Sequence, residues 1–273
     1  MALSAFAEPA PAVIQRPVTH LFAKPTTEAS VVSQAIFGWN VQILEEDQSF
    51  LKVRTPDDYT GWVETSAVVK RDMYVVSGTV ASVRMLFGSV YRETSITRQQ
   101  PLLVLPFESR LEVLEQPDAE EYRWIKVRLP DSHEAWIQRG DVTLRADTLS
   151  REEMLTFSRR FLGLPYLWGG ASTYGYDCSG FVQMLLRQTG VSMPRDAQPQ
   201  AEWQGVEPVQ AEELQPGDLL YFGPSENKIT HTGMYLGGGR FIHATAHEIP
   251  AVQISSLDDP HWTKVFLSSR RVK

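Results

Sequence analysis

The sequence predicts a multidomain protein in which two small all-β segments precede an α+β domain. Three observations support this: short alternating apolar runs in the first half, a repeat of those runs, and a change to helical periodicity near Thr148. At roughly 150 residues per domain, 273 residues suit two domains or three small ones. The predicted limits are a lead-in over 1–12, β segments over 13–72 and 73–147, and the α+β domain over 148–273.

Composition and charge exclude several classes of protein. The net charge of −7 argues against nucleic-acid binding, because phosphate affinity requires clustered lysine and arginine. A single cysteine excludes an intrachain disulfide framework and a zinc site built on several thiolates. No stretch approaches the roughly 18 apolar residues of a membrane span. We therefore expect neither nucleic acid nor a membrane as a partner.

The N-terminal residues carry no recognisable export signal. The apolar stretch over 2–7 is too short for a signal-peptide core, and the first basic residue is Arg16. The lone cysteine is compatible with a reducing compartment. We expect a cytoplasmic protein, and the alternative is a secreted protein whose leader has been removed.

The first half of the chain repeats one pattern of short strands. Alternating apolar runs over 41–44 and 51–54 recur as runs over 111–114 and 125–128. Turn signals that contain proline and aspartate separate these runs. A set of five or so short strands that closes on itself leaves no exposed sheet edge. Each repeat is therefore predicted to be a small closed β domain, with an unusually long lead-in over 75–100 before the second.

Two helices are predicted at the start of the α+β domain. Ser150 and Glu153 form a capping box, in which the serine oxygen accepts from the backbone and the glutamate reaches back. Apolar residues at helical spacing follow, and Pro165 is expected to end this helix. A second apolar period follows Asp177 and ends at Gly190. Strands are then predicted around 219–222, 232–236 and 240–243.

Cys178 is a candidate nucleophile because it is predicted to lie in the first turn of the second helix. Backbone N–H groups and the helix dipole favour a thiolate at that position, and the thiolate is the nucleophilic form of cysteine. A neighbouring histidine would favour the thiolate further and shuttle a proton to the leaving amine. The alternative is that this cysteine is a small buried apolar residue.

Two of the six histidines lie on adjacent predicted strands. His231 opens one strand and His243 lies in the next, and the glycines at 237–239 between them indicate a hairpin. The two residues are expected to lie across from each other, with His231 as a base and His243 holding its tautomer and orientation. The spacing is equally compatible with two ordinary polar residues at a strand rim.

The other four histidines give weaker signals. His247 follows His243 by four residues, but on a strand this spacing does not place two metal ligands as it does on a helix. His133 is interpreted as a surface turn residue, and His20 and His261 have no informative context. We predict no metal site and no cofactor.

Five motifs follow one another along the second half of the chain. They are Pro165–Gly170, Asp177–Val182, Pro216–Phe222, His231–Gly237 and Phe241–Ala244. In this order they resemble the NlpC/P60 cysteine peptidases, a family with a papain-like fold that cleaves bacterial cell-wall peptides. The repeated first half resembles two bacterial SH3-type (SH3b) barrels. The resemblance therefore implies two SH3b-like barrels followed by a papain-like α+β catalytic domain.

The same resemblance implies roles for individual residues. Cys178 corresponds to the nucleophile, His231 to the base and His243 to the third, polar member of the triad. Tyr166 corresponds to a tyrosine that helps to stabilise the oxyanion. The backbone amide of Cys178, at the start of a helix, is able to share that role.

Two barrels before the catalytic domain resemble the arrangement of the γ-D-glutamyl-L-diamino acid endopeptidases of the YkfC type. These enzymes require a free N-terminal L-alanine and cut after γ-D-glutamate. By resemblance, Asp196 binds the substrate amine, Ser179 lines the same pocket, and Tyr59 is inserted into the cleft by the first barrel. Asp177 and Trp168 are further substrate-binding residues that the resemblance implies.

Two of these roles have plain alternatives. Asp196 is also compatible with a solvated loop carboxylate or a helix N-cap, and Tyr59 with ordinary packing in its barrel. Ala197 departs from the family pattern, in which a serine is common after the aspartate. One hydrogen bond to the substrate is therefore expected to be missing or mediated by water.

The expected function is hydrolysis of the γ-D-glutamyl–diamino acid bond in murein peptides with a free N-terminal L-alanine, in cell-wall peptide recycling. The diamino acid is diaminopimelate or lysine. The expected partner is this small peptide substrate, and the SH3b domains are expected to pack on the catalytic domain and shape its cleft. Two alternatives stay open: a secreted peptidoglycan hydrolase that acts on the intact wall, and a non-catalytic wall-peptide binding protein.

Overall fold

The computed structural model describes residues 9–75, 78–115, 123–145 and 147–273. It comprises two compact units, Met1–Ala146 and Asp147–Lys273. Within the described ranges, the first unit contains strands and short 3₁₀ turns, whereas the second combines α-helices with a sheet. None of the helices in these ranges is long and apolar enough to cross a membrane.

Seven antiparallel strands form the first sheet of the N-terminal unit. They are β1 (Ala10–Ile14), β2 (Val18–Phe22), β3 (Val31–Ile36), β4 (Asn40–Asp47), β5 (Phe50–Arg54), β6 (Thr60–Glu64) and β7 (Val68–Lys70). Their order across the sheet is β3-β2-β6-β5-β4-β1-β7. Alternate residues such as Leu51, Val53 and Val63 are buried in one core, as expected for strands with a single apolar face.

The second sheet of this unit repeats the first. Its strands are β8 (Val80–Val83), β9 (Phe87–Tyr91), β10 (Leu103–Pro106), β11 (Arg110–Glu115), β12 (Trp124–Arg128), β13 (Glu134–Gln138) and β14 (Val142–Thr143). Their order is β10-β9-β13-β12-β11-β8-β14, the same as in the first sheet with corresponding strands. The predicted internal repeat is therefore confirmed as a repeat of strand topology, although each copy has seven strands rather than about five.

Two segments that were expected to be lead-ins contain strands. The segment 1–12 overlaps β1, in which Ala12 is buried and pairs with both β4 and β7. Residues 1–8 of that segment lie outside the described ranges. The segment 75–100 contains β8 and β9, the first two strands of the second sheet. Such short strands carry too few apolar residues for alternation to reveal them.

Tyr74 connects the two sheets of the N-terminal unit. Its backbone N–H donates to Oδ1 of Asn40 at 2.6 Å, and the amide of Asn40 donates to the carbonyl of Tyr74 at 2.9 Å. The buried hydroxyl of Tyr74 donates to the carbonyl of Arg128 and accepts from the N–H of Glu112 at 3.0 Å. Because these partners lie in both sheets, the tyrosine helps to hold them together as one unit.

The C-terminal unit has the α+β composition that the sequence predicts. Its helices are α1 (Arg151–Ser158), α2 (Cys178–Arg187), α3 (Ala197–Glu202) and α4 (Pro260–Val265). Its strands are β15 (Ala171–Ser172), β16 (Gly175–Tyr176), β17 (Val206–Val209), β18 (Leu219–Phe222), β19 (His231–Gly237), β20 (Arg240–Thr245), β21 (Ala251–Ser256) and β22 (Phe266–Val272). Strands β15 and β16 pair with each other, and the other six form a sheet in the order β17-β22-β18-β19-β20-β21.

Helix α1 begins as predicted but ends earlier. The capping box is present: Ser150 Oγ accepts from the N–H of Glu153 at 3.3 Å, and the Glu153 carboxylate accepts from the N–H of Ser150 at 2.8 Å. The helix ends at Ser158 and passes into a short 3₁₀ turn. Gly163 has a φ of 84°, a left-handed conformation that commonly follows a helix. The helical segment is therefore already over before Pro165 is reached.

Helix α2 is buried along most of its length. It packs against β19 and β20, and the backbone N–H of Thr232 on β19 donates towards the sulfur of Cys178 in its first turn. Three aromatic rings, Phe161, Tyr176 and Phe181, meet edge to face near its N-terminal half with centroids 5.7 to 6.0 Å apart. This packing holds the start of the helix in one position.

Candidate active site

Cys178 is the first residue of α2, so its predicted place in the first turn of a helix is confirmed. Asp177 is the N-cap, and its Oδ1 accepts from the N–H of Gly180 at 2.7 Å. Gly180 permits a close approach here, because a Cβ at this position would lie 2.3 Å from the carbonyl oxygen of Gly170. The first turn of α2 thus packs closely against the backbone at Gly170, which precedes the candidate nucleophile in the chain.

A buried ion pair holds the approach to Cys178. The guanidinium of Arg195 donates to both oxygens of Asp177, at 2.9 Å to Oδ1 and 2.7 Å to Oδ2. It also donates to Ser179 Oγ at 3.0 Å and to the carbonyl of Gly170 at 3.1 Å. Oδ1 of Asp177 therefore serves both the helix cap and the ion pair, and Oδ2 serves the ion pair. This favours an internal role for Asp177 over the predicted contact with substrate.

The environment of the sulfur differs from the expected one. The Cys178 residue is only 8% exposed, and burial, followed by the carboxylate of Asp177, raises the pKa of the thiol to about 12. Backbone N–H groups of Thr232 and Ser179 donate towards the sulfur and act in the opposite direction on the pKa. Burial thus opposes the thiolate that the helix start was expected to stabilise, while the two backbone N–H groups favour it.

His231 and His243 form a direct hydrogen bond. Nε2 of His231 lies 2.7 Å from Nδ1 of His243, with the two rings at an interplanar angle of 80°. In the register of β19 and β20, Met234 faces Ile242, so the two histidines are diagonal rather than opposite. The predicted hairpin is confirmed, and the expectation that they lie directly across from each other is corrected by this register.

Gly233 makes room for the histidine pair. A Cβ at this position would lie 3.1 Å from Cβ of His243 and 2.8 Å from the ring of Phe241. A side chain here would crowd Cβ of His243 and the ring of Phe241. The glycine in the His-Thr-Gly sequence is therefore part of the geometry of the pair.

Trp262 on α4 covers the same pair. Its ring stacks on His231 with centroids 4.9 Å apart and an interplanar angle of 29°, and it meets His243 edge to face at 4.8 Å. Burial lowers the pKa of His231 to about 3, with smaller contributions from the charges of His261 and His247. Burial also lowers the pKa of His243 well below its usual value. Both rings are therefore neutral at neutral pH, and His231 is available as a base.

Two further histidines adjoin Trp262, and the sequence did not indicate either. The rings of His247 and His261 stack face to face at 3.8 Å with an interplanar angle of 10°. Both also contact the tryptophan ring, at 5.6 Å and 4.7 Å. The only available signal was the Asp259-Pro260 helix start that places His261 and Trp262 on α4. Across the described ranges, no group of three or more His, Cys, Asp or Glu side chains is arranged to hold a metal ion.

Tyr166 lies close enough to Cys178 for their charges to interact. Burial raises the pKa of the Tyr166 hydroxyl, and a negative charge on Cys178 and then on Asp177 raises it further. The tyrosine therefore stays protonated and is able to donate a hydrogen bond. Its backbone N–H donates to the carbonyl of Pro250 at 3.0 Å, which fixes its segment beside β21.

The other predicted substrate contacts in this unit differ in exposure. Asp196 is exposed and takes the N-cap position of α3, but its side chain makes no capping hydrogen bond. Ser179 is buried, and its hydroxyl donates to Asp177 Oδ1 at 3.3 Å. Trp168 is 71% exposed, which is unusual for such a large apolar side chain. The structure thus leaves Asp196 and Trp168 at the surface of the unit.

Tyr59 belongs to the N-terminal unit and is half-buried there. Its ring packs against the core of the first sheet, and its carbonyl accepts from the N–H of Thr55 at 2.9 Å. Within its own unit, this is the ordinary packing that the sequence also allowed. A role for Tyr59 in substrate selection stays a prediction.

Two family profiles match the chain, one in each unit. The profile of the NlpC/P60 family matches residues 163–271, a range that contains Cys178, His231 and His243. Residues 163–271 form an NlpC/P60 domain. A second profile, described as the bacterial dipeptidyl-peptidase Sh3 domain, matches residues 21–68 in the first sheet. The candidate site therefore lies inside the NlpC/P60 domain.

Two named relatives align with most of the chain, across both of its units. The chain is 28% identical over 261 residues to a γ-D-glutamyl-L-lysine dipeptidyl-peptidase of Bacillus cereus, covering 90% of this chain and 76% of that protein. It is 26% identical over 261 residues to dipeptidyl-peptidase 6 of Lysinibacillus sphaericus, covering 92% and 93%. A crystal structure of an NlpC/P60 family protein from Bacillus cereus ATCC 10987 has the same fold, with a TM-score of 0.84 at 24% identity. That alignment covers 96% of this chain and 99% of the other.

Proposed function

We propose that this protein is a cysteine peptidase that hydrolyses the γ-D-glutamyl–diamino acid bond of murein peptides with a free N-terminal L-alanine. The observation that carries the proposal is the hydrogen-bonded His231–His243 pair on two strands that pack against α2, with the backbone N–H of Thr232, next to His231, donating towards the Cys178 sulfur. The names of two relatives support the substrate class. One is called a γ-D-glutamyl-L-lysine dipeptidyl-peptidase, and the other is called dipeptidyl-peptidase 6.

The proposed reaction starts from a neutral thiol and a neutral imidazole. Nε2 of His231 is bonded to His243, which leaves Nδ1 to take the proton of the Cys178 thiol as the sulfur attacks the γ-carbonyl carbon. The protonated His231 then gives this proton to the leaving amine of the diamino acid, and a thioester remains. Water attacks the thioester with His231 again as base, and the thiol is restored when L-Ala-D-Glu leaves.

The proposed oxyanion site uses the helix start and a tyrosine. The N–H of Cys178 is at the first helical position, where no intrahelical acceptor exists. Tyr166 stays protonated beside the sulfur because burial raises the pKa of its hydroxyl. Two donors next to the nucleophile suit the negative charge that develops on the carbonyl oxygen. A Tyr166→Phe change removes one of them.

The free amine of the substrate is proposed to bind Asp196. Its carboxylate is exposed at the start of α3, so an external ammonium group is able to reach it. Ser179 lines the same region from the first turn of α2, and Trp168 offers an exposed apolar surface to the peptide. For Asp177 we propose the positioning of Ser179 and Arg195 in place of direct substrate contact.

The second sheet is proposed to be a second SH3b barrel, because its strand order repeats that of the first.

A contribution of Tyr59 to substrate selection rests on the resemblance alone, and loss of tripeptide specificity in Tyr59→Ala would support it. A role in cytoplasmic recycling of wall peptides follows from the requirement for a free amine, and cell fractionation tests it.

Product analysis by mass spectrometry tests the function as a whole. The full chain is incubated with L-Ala-γ-D-Glu-L-Lys or its diaminopimelate equivalent, with the N-acetylated tripeptide, and with intact cell wall. We expect cleavage of the free tripeptides alone, and none by Cys178→Ala. Release of fragments from intact wall would instead indicate a wall hydrolase. Binding of the tripeptide without any turnover would indicate a peptide-binding protein.

A further inference from the structure

The hydrogen bonds of His243 continue beyond His231. Its Nδ1 lies 2.7 Å from Nε2 of His231, and its Nε2 lies 3.0 Å from Oγ of Ser255. The three residues lie on the adjacent strands β19, β20 and β21, each 12 residues after the one before. A continuous line of polar groups thus runs across the sheet from the candidate base to β21.

The strand register selects Ser255 as the last member of this line. Directly opposite His243 on β21 is Gln253, whereas Ser255 faces Phe241. The amide of Gln253 donates to the carbonyl of His247 at 3.2 Å and is turned away from the line. The diagonal neighbour, Ser255, therefore reaches Nε2 of His243.

The direction of these two hydrogen bonds decides which ring nitrogen of His231 carries a proton. His243 is fully buried and neutral, so one ring nitrogen donates and the other accepts. If Nε2 of His243 donates to Ser255, its Nδ1 accepts from Nε2–H of His231. The Nδ1 of His231 is then unprotonated and is able to take a proton. In the reverse direction, Ser255 donates to His243, and His231 holds its proton on Nδ1, where it is not a base towards the thiol.

We propose that Ser255 is a positioning residue for His231, an inference that rests on the proposed function of His231 as the base. Its hydroxyl accepts the Nε2 proton of His243 and so fixes the tautomers of both rings in the productive direction. When His231 takes the thiol proton, its Nε2–H becomes part of an imidazolium and donates more strongly to His243. The His243–Ser255 bond then holds the acceptor ring in place.

The test compares three variants of the full chain. Ser255→Ala removes the acceptor, and Ser255→Thr keeps a hydroxyl in nearly the same place. Ser256→Ala is the matched control, because the Ser256 hydroxyl accepts from the N–H of Asp258 at 3.1 Å and makes no contact in the line from His231 to Ser255. For each variant, kcat and KM are measured on L-Ala-γ-D-Glu-L-Lys, and melting confirms that the protein is folded.

We expect kcat of Ser255→Ala to fall about tenfold with KM unchanged, since the lost bond biases proton transfer and not substrate binding. Ser255→Thr should recover most of the loss, and Ser256→Ala should resemble the wild type. In ¹⁵N NMR of labelled imidazoles, the wild type should show Nε2–H on both His231 and His243. Ser255→Ala should show a mixture of tautomers.

Two results would overturn the inference. One is a Ser255→Ala variant with the kcat of the wild type, and the other is a wild-type His231 protonated on Nδ1 in the NMR spectra. The spectra are recorded without substrate. They therefore decide the role of Ser255 even if the wild type does not cleave the tripeptide, in which case the proposed function alone fails.

Discussion

Two pairs of histidines adjoin Trp262 and differ in geometry. His231 and His243 are joined by a 2.7 Å hydrogen bond with their rings at 80°, and His243 is fully buried. His247 and His261 are stacked face to face at 3.8 Å and 10°, and His261 is exposed. Proximity is therefore common to both pairs, whereas a shared hydrogen bond belongs to the first alone.

The difference shows why only the first pair suits proton transfer. Ring N–H bonds lie in the plane of an imidazole, so in a parallel stack they cannot point at a nitrogen of the partner ring. In the first pair, one ring is turned edge-on to the other, and each nitrogen has a defined partner. The stacked pair acts on the first through charge, since protonation of His261 or His247 lowers the pKa of His231.

The largest expected effect separates the two pairs directly. His231→Gln should reduce kcat/KM on the tripeptide by about 10⁴-fold, because the thiol loses its base. His261→Gln, the matched change in the stacked pair, should stay within about twofold of the wild type at neutral pH. Steady-state kinetics of both variants checks this. Equal losses in both would mean that the hydrogen-bonded geometry carries no special role.

Removal of the second ring should have an intermediate effect. His243→Ala leaves His231 as a base but without its fixed tautomer, and we expect kcat to fall about 10²-fold with little change in KM. His243→Gln retains a polar side chain on β20 and should recover part of the loss. A KM effect larger than the kcat effect would instead place His243 in substrate binding.

The pH dependence of the free enzyme sharpens the comparison further. A base whose pKa is lowered to about 3 stays deprotonated in mild acid, so the acid limb of kcat/KM assigned to His231 should lie below its ordinary value of 6.5. A thiol whose pKa is raised above the ordinary 9.0 should react with iodoacetamide faster and faster as the pH rises through that value. An alkylation rate that is already constant below neutral pH would contradict the neutral resting pair.

Much of this arrangement was predictable from local sequence signals. The capping box at Ser150, the helix start at Cys178 and the hairpin between His231 and His243 each depend on residues within a few positions of one another. The internal repeat was predictable for the same reason, since both copies carry the same alternating runs. Local periodicity is therefore sufficient to predict where the candidate nucleophile and its base lie.

The rest depends on contacts between distant parts of the chain. Ser255 contacts His243 because of the register of two strands, and Trp262 reaches His231 from α4, the helix that follows β21. Arg195 is eighteen residues from the Asp177 that it pairs with. Burial likewise raises the pKa of the Cys178 thiol, which opposes the effect expected from a helix start alone. No short window of sequence contains both partners of these contacts or the residues that bury Cys178.

The smallest expected effect tests the charge that the stacked pair exerts on the hydrogen-bonded pair. His261 contributes to lowering the pKa of His231, so His261→Gln should raise that pKa and move the acid limb of kcat/KM to higher pH. The shift should be smaller than the effect of burial, which is the largest cause. His20→Gln in the N-terminal unit is the control, and its profile should match the wild type. A shift to lower pH in His261→Gln would mean that the stack stabilises the imidazolium of His231, the opposite of the charge effect described.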